Sequence, residues 1–530
     1  MHPSNTSRGR RFGQSLGVAA VVLLFSGCAS YDAQTQQFAQ ATRSGSLATS
    51  IAQIDAKAKA ATGGKDELVF RLEQGATLRS AALADLTQVP PPPAQPMAPQ
   101  AAPVDPAAPA APAAAPTWPE VRNYYLMRSI TAFDQAEEKV NYWEEQSKVK
   151  VGSEIGAMVS NQASLPYRGR VYDKVMMNTY KALSYLELGE KDKARVELNR
   201  SLQRQRDAVA ANEKRIAEAM KEAEMARNGE LKDEKGKSAS YDSAKALDDP
   251  KTGPALQAAL NASIAPMKAY GDYVNPFSVF LDGLFFTVLG EGGSDLERGR
   301  KSFERVASMV PENPYLKADL DAASLAAEGK APEGVTYVIF ETGTAPTRDQ
   351  TRVDIPTFLV TSKLAYVGAS FPKLQYNNDY IASLGVTVGD QTINTATVAS
   401  IDSVVANDFK NEWPTIVTKT LITTATKAII QATVQKQVSD NSSNPWAGLI
   451  AGAVMTVVNA STNIADTRTW GSLPKEFQYA RLATPESREL TLTAGGVQRT
   501  VALEPGSVNV VYVKSASPTA PLFVSSFVLK

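Results

Sequence analysis

The sequence is almost without cysteine and histidine. Its 530 residues hold one of each, Cys28 and His2, and both fall before residue 31. Everything downstream therefore lacks imidazole and thiol. That excludes Ser-His-Asp and Cys-His nucleophilic pairs, histidine proton shuttles and the transition-metal sites that need those ligands. It also excludes an internal disulfide, so stability has to come from buried apolar surface, which a chain of this length can supply. No Gly-rich turn is followed by the Lys-Ser or Lys-Thr of a phosphate loop, and no stretch alternates Asp or Asn with Gly as a calcium loop does. Charge of one sign is missing too. There are 55 Lys+Arg and 55 Asp+Glu, and with the three arginines of residues 1–27 set aside the remainder carries a formal −3. A mixed, near-neutral chain does not fit a nucleic-acid partner.

What is present begins at the amino terminus. Arg8, Arg10 and Arg11 precede an apolar run from Leu16 to Phe25 that ends at Ser26-Gly27-Cys28. The run is too short to span a bilayer, and residues 1–27 read as an export signal. "LFSGCAS" resembles a bacterial lipobox, with Phe25 where Leu is usual. The resemblance implies cleavage before Cys28 and diacylation of its sulfur, which gives a lipid-anchored protein. Ala29 follows the cysteine instead of the Asp of an inner-membrane retention signal. The expected address is the periplasmic side of the outer membrane.

Residues 90–117 form a Pro/Ala-rich linker containing 11 of the chain's 31 prolines. Such a tract makes neither helix nor sheet ladder and reaches roughly 80 Å when extended, at about 3.1 Å per residue. On either side of it, up to residue 332, apolar residues recur at helical spacing. After residue 333 they alternate over short runs. The expected fold class is therefore α+β in two parts: an N-terminal α-helical repeat domain (28–89 and 118–332) followed by a β-rich, sandwich-like domain (333–530) with an inserted helical pair at about 402–438 and 445–460. The second of that pair, with Gly448 and Gly452, is uncharged but too short to cross a membrane, so a buried helix is expected.

The helices pair up. In "YKALSYLELGEKDKARVELNRSLQ", Ala182 and Ala194 allow two helices to approach closely and Gly189 allows the turn between them. Tyr185 and Leu198 fill the seam. A second pair starts at Phe277, with Phe286 on its first helix and Phe303 on its second. A third is split by the proline tract. This pattern resembles tetratricopeptide repeats, which need at least three stacked units for stability. Tyr185 and Phe286, with the exposed faces of each first helix, are expected to line or support a concave groove for a protein or peptide. Residues 191–228 continue as a coiled-coil-like arm, expected to fold back on residues 255–270.

Five strings together resemble one uncharacterised family of bacterial tetratricopeptide lipoproteins: "NTYKALSYLELGEKDKARVELNR", "YGDYVNPFSVFLDGLFF", "VIFETGTAPTRDQTRVDIPTF", "IDSVVANDFKNEWPTIVTK" and "ADTRTWGSLPKEFQYARL". The resemblance covers most of residues 35–500, with the proline tract as an insertion. That family has no established activity. Its members' neighbours, which resemble activators of penicillin-binding proteins, imply a role in the cell envelope.

Within these strings, Glu341, Arg348, Arg352 and Asp354 crowd what reads as a loop between strands, and Arg468 and Arg481 lie in another. A guanidinium cluster could hold a carboxylate or phosphate in forked geometry, as on a peptidoglycan stem peptide. The favoured reading is structural: the charges pair and pin loops. No catalytic residue, cofactor or metal is expected. The function expected is a non-catalytic scaffold in envelope assembly or regulation, such as peptidoglycan synthesis or secretion. The other two readings are a carboxylate-dependent cell-wall hydrolase and a tether from outer membrane to peptidoglycan.

Overall fold

The computed structural model describes residues 31–93, 116–149, 162–232, 238–268, 270–271, 273–357, 366–440 and 464–530. Cys28, most of the proline tract and the segment 445–460 lie outside them. Among the described residues no helix is long and apolar enough to cross a membrane.

The chain is α+β in two parts, helices first and sheets after. The helical part comprises α1 (Tyr31–Arg43), α2 (Leu47–Ala60), α3 (Glu67–Ala82), α4 (Trp118–Val149), α5 (Val171–Glu187), α6 (Lys191–Arg227), α7 (Ser243–Leu247), α8 (Thr252–Ile264), α9 (Pro276–Leu289), α10 (Gly293–Met309) and α11 (Leu316–Ala327). Three helix pairs carry the packing: α3 with α4, α5 with α6, and α9 with α10. The first joins helices on opposite sides of the proline tract, as the split-unit reading required. Small residues set each approach. A Cβ on Gly75 would sit 2.5 Å from the Phe133 ring, and one on Gly283 would sit 3.1 Å from Phe303. Ala182 and Ala194 are fully buried at the α5–α6 seam. The connecting turn passes through Gly189 at φ 76°, a left-handed conformation that glycine adopts without a steric cost.

The start of α9 is written in the sequence Asn275-Pro276. The Asn275 side chain accepts hydrogen bonds from the N–H groups of Phe277 (3.0 Å) and Ser278 (3.4 Å), and Pro276 takes a first-turn position where no N–H is needed. From Pro276 to Val288 every residue of α9 is buried. A helix apolar on all sides must be covered on all sides.

The second cover is the β-rich part. Its strands are β1 (Val335–Thr342), β2 (Thr347–Pro356), β3 (Tyr366–Gln375), β4 (Gly385–Val388), β5 (Gln391–Asn394), β6 (Ala396–Ser400), β7 (Glu476–Ala483), β8 (Glu489–Ala494), β9 (Val497–Ala502), β10 (Val508–Ser515) and β11 (Phe523–Val528). The helix α12 (Ile401–Asp440) runs through Pro414 between β6 and β7. A five-stranded sheet has the order β11-β10-β1-β7-β6, with β1 and β10 parallel and the other pairs antiparallel. A four-stranded antiparallel sheet, β5-β4-β8-β9, covers one of its faces. Gly495-Gly496 makes the β8–β9 turn with both residues at positive φ, as the hairpin reading of that stretch required.

Period-two alternation assigns the two faces of the five-stranded sheet. Val338, Phe340, Ala480, Val511 and Val513 pack on Leu384, Leu490 and Leu492 of the second sheet. Tyr337, Ile339, Phe477, Tyr479, Val510 and Tyr512 face the other way, into a core shared with α3, α4, α5 and α9. The rings of Phe277 and Phe477 stack at 3.7 Å with 6° between their planes, and Phe280 meets Tyr479 at 4.5 Å. Helices, sheet and sheet thus form successive layers, and the helical stack closes on the protein's own sheet.

Two expectations are corrected here, and one stretch went unread. The stretch from Thr347 to Pro356 is a strand, β2, paired in register with β3, and not a loop. The 344–354 stretch reads as a loop because its charged residues alternate with few apolar ones on a ribbon that buries only part of one face. The arm α6 does not fold on residues 255–270. It lies along α12, through Glu222–Lys419 at 2.9 Å and a cluster of Ala226, Leu231 and Ile422. Its buried residues include Ser201, Gln205, Ala208, Ala219 and Ala226, while Val209 of the heptad stripe stays 45% exposed. Small side chains, not the larger apolar ones, set this contact. The short strands β4–β6, in the Thr-rich "GVTVGDQTINTATVAS", had no apolar alternation strong enough to read.

Phe277→Ala removes a ring from the core that both parts share. A loss of about 3–5 kcal/mol is expected. Far-UV and near-UV circular dichroism during denaturation should give one coincident transition in the wild type. Separate helical and sheet transitions would contradict the shared core.

Candidate functional site

The charged residues singled out in the sequence go to separate places. Glu341 on β1 is buried under the helices. It accepts hydrogen bonds from Tyr180 (3.2 Å) and Tyr512 and pairs with Lys514 at 2.9 Å. Above Tyr512, the Arg79 guanidinium lies 4.6 Å from the ring centroid and pairs with Glu187 at 2.6 Å. Arg481 pairs at 3.0 Å with Asp319, which also accepts from Tyr337 (2.7 Å) and Tyr479 (2.6 Å). Both groups are polar joints between the helices and the sheet.

Arg348, although on β2 with Arg352 and Asp354, does not join them. Its side chain is 1% exposed and pairs with Glu412 of α12 at 2.7 Å. Glu412 also faces Arg170 at 3.5 Å and Arg215 at 3.8 Å, which brings α5, α6, α12 and β2 to one carboxylate. Arg468 adjoins this junction. Its backbone carbonyl accepts from Arg170 at 2.6 Å, and its guanidinium pairs with Asp466 (2.7 Å) and Asp66 (3.0 Å) and donates to the carbonyls of Leu165 and Gln162. Arg468 therefore pins the chain before β7 to the start of α3. Arg352 and Asp354 are different. They are 75% and 67% exposed and 3.9 Å apart, on the outer side of the ribbon. The six residues form no single anion cradle.

Burial dominates the electrostatics of the joints. It would raise Glu412, but the guanidiniums of Arg348, Arg170 and Arg215 hold it below the usual carboxylate range. One helical turn away, Asp408 has no such donors within hydrogen-bond reach, and burial together with the charge of Glu412 pushes it up. On α3, burial pushes Glu73 up to about 7, although it accepts hydrogen bonds from the N–H groups of Gly471 (2.6 Å) and Ser472 (3.2 Å). Two carboxylates with divided protonation are what acid–base chemistry needs. Asp408 is 3% exposed, however, and Glu412 is held by three guanidiniums at the meeting of four elements. Among the described residues no three His, Cys, Asp or Glu side chains converge as a metal site.

The repeat residues are core. Phe286 and Phe303 are buried, Ala194 and Gly189 serve the α5–α6 seam and turn, and Tyr185 is half-buried under Lys193 at 5.6 Å. Phe286 lies beneath the guanidiniums of Arg298 (4.0 Å) and Arg195 (5.2 Å). The expected concave groove is corrected. The first helices α5 and α9 turn their faces to the five-stranded sheet, so the concavity is filled from within.

A groove remains on the outer side, where α6 passes α9 and α10. Its volume is about 520 Å³. Ser201, Gln203 and Arg206 of α6, Ser278 and Asp282 of α9, and Glu297, Arg298, Lys301 and Arg305 of α10 line it. Sequence reasoning missed this site, though one signal was there: Arg298, Lys301 and Arg305 recur at steps of three and four in "ERGRKSFER" and must share a helix face.

Two measurements follow from these joints. Arg348→Ala leaves Glu412 short of its closest partner and should cost about 3–5 kcal/mol, whereas Arg352→Ala on the exposed side should stay within about 0.5 kcal/mol. Equal costs would contradict the assignment. For Glu73, the folded-state value lies above the unfolded one, so its contribution is full below the unfolded value and is lost as pH rises through about 7. Urea denaturation should show lower stability at about pH 8 than at about pH 5.5, by roughly 2 kcal/mol from this group, and Glu73→Gln should flatten that dependence.

No protein-family model, curated protein or solved structure matches this chain.

Proposed function

We propose that the protein is an outer-membrane lipoprotein, anchored through acylated Cys28 with its folded part on the periplasmic side, that works as a non-catalytic scaffold for a protein or peptide partner in cell-envelope assembly or regulation. On this reading it belongs with the tetratricopeptide lipoproteins that its sequence resembles, and residues 90–117 act as a spacer.

The observation that carries the proposal is the outer groove. Three helices line an open channel of about 520 Å³ with the cations Arg206, Arg298, Lys301 and Arg305 and the exposed Ser294 hydroxyl. Beneath it, Phe280, Phe286 and Phe303 fix the helices in a packed core. A rigid wall of donors suits the carbonyls and carboxylates of a peptide, since little side-chain or backbone ordering has to accompany binding. The carboxylates of Glu341, Glu412 and Asp319 are engaged in the joints between helices and sheet.

The test places a photo-crosslinking residue at Lys301, in the groove, or at Val497, which is 50% exposed on β9. In intact cells, Lys301 should capture one partner that Val497 does not, and capture of the same set at both positions would count against a groove-borne partner. Cys28→Ala should abolish incorporation of labelled palmitate and release the protein from the membrane fraction. Retention of label would remove the anchor from the proposal.

A further inference from the structure

The groove between α6, α9 and α10 has an uneven charge economy that its lining alone does not convey. Asp282 is engaged from two sides. Arg298 binds both its oxygens, at 2.5 and 3.2 Å, and Ser302 donates at 2.7 Å. Arg298 also donates to Asn199 at 2.6 Å and lies 4.0 Å from the Phe286 centroid. It is a structural cation. Glu297 is held by Arg300 through two bonds of 2.8 Å and has Lys301 at 3.7 Å. Both carboxylates of the groove are thus neutralised by arginines of α10.

The other cations are not. Arg206 on α6 and Arg305 on α10 are exposed, and among the described residues neither makes an ion pair. Lys301 lies between them in sequence and has only the longer contact to Glu297, with its side chain 68% exposed. Three positive groups on two helices therefore face solvent in one channel, without partners of their own at hydrogen-bonding distance. Ser294 adds an exposed hydroxyl to the lining, whereas Ser201 is buried and donates to the Val175 carbonyl (3.5 Å), and Gln203 donates to Asp207 at 2.7 Å. The lining carries four cations, Arg206, Arg298, Lys301 and Arg305, against two carboxylates, Asp282 and Glu297, although the chain as a whole is close to neutral. The field of such a lining selects the sign of a partner and speeds its encounter.

We infer that the occupant of this groove is an acidic peptide segment of a partner protein, whose Asp or Glu side chains pair with Arg206, Lys301 and Arg305. Charge complementarity is the reason for the sign. The reason for a peptide is that exposed cations follow one another along two helices, beside the exposed Ser294 hydroxyl, so that successive carboxylates of one extended segment can be met in turn. This inference rests on the scaffold reading above and specifies its partner.

The experiment uses the full chain solubilised with its anchor and fluorescence anisotropy with three probes: a Glu-rich peptide, its Gln counterpart and its Lys counterpart. The Glu peptide should bind, more weakly as salt is raised. The Gln and Lys peptides should bind at least about tenfold more weakly. The double variant R206E/R305E should lose about tenfold or more for the Glu peptide while melting at the wild-type temperature, because both side chains are exposed and unpaired. R206K/R305K, which keeps the charges, should restore most of the binding. Equal binding of the Gln peptide, or unchanged binding by R206E/R305E, would overturn the acidic occupant and leave a peptide scaffold standing. Failure of all three peptides overturns both. Binding of phosphatidylglycerol vesicles lost in R206E/R305E, with no peptide binding, overturns the peptide in favour of an anionic lipid surface.

Discussion

The contact between α9 and the five-stranded sheet is the constraint on which the remaining architecture depends. Stacking of Phe277 on Phe477 at 3.7 Å fixes where the sheet lies against the helices. Once the sheet is there, the concave side of the helical stack is no longer available to solvent or to a partner. A chain of helical hairpins ordinarily leaves that side open for binding. Here it is core.

Closing the stack in this way encloses polar groups, and each needs a partner inside. Glu341 finds Tyr180, Tyr512 and Lys514, and Asp319 finds Tyr337, Tyr479 and Arg481. Arg348, Arg170 and Arg215 converge on Glu412. Buried pairs of this kind add little net stability over an apolar filling, but leaving one member unpaired is costly. They favour one way of seating helices on sheet over others, because an alternative register would strand a charge. Glu341, Asp319 and Glu412 are thereby tied into the joints, while the outer face of α6, α9 and α10 keeps an open groove.

Much of the fold was legible in the residues. Period-two alternation gave β1, β7, β10 and β11, and Gly495-Gly496 gave the β8–β9 turn. Small residues at Ala182, Ala194 and Gly283 gave the helix pairs. What escaped was of two kinds. The strands β2 and β4–β6 carry Thr and charge where a strand pattern expects apolar residues: β5 and β6 lie at sheet edges, β2 is on a two-stranded ribbon, and β4 is only 4 residues long. The packing of α6 on α12 uses Ala208, Ala219 and Ala226, and no periodicity of larger apolar residues marks it. The candidate site was legible only in part. Cations at steps of three and four on α10 define a face, but Arg206 lies almost a hundred residues away on another helix.

By itself the sequence determined which side-chain chemistry is scarce and where the apolar helices and strands lie, because thiol and imidazole are missing or present residue by residue and periodicity is local. It could not determine which face of the helical stack stays open. That was decided by the sheet, whose aromatic residues bury more apolar surface against α5 and α9 than either part could cover alone. With the inner face filled, Arg348 and Glu341 became joints, and Arg206 and Arg305 were left exposed on the far side.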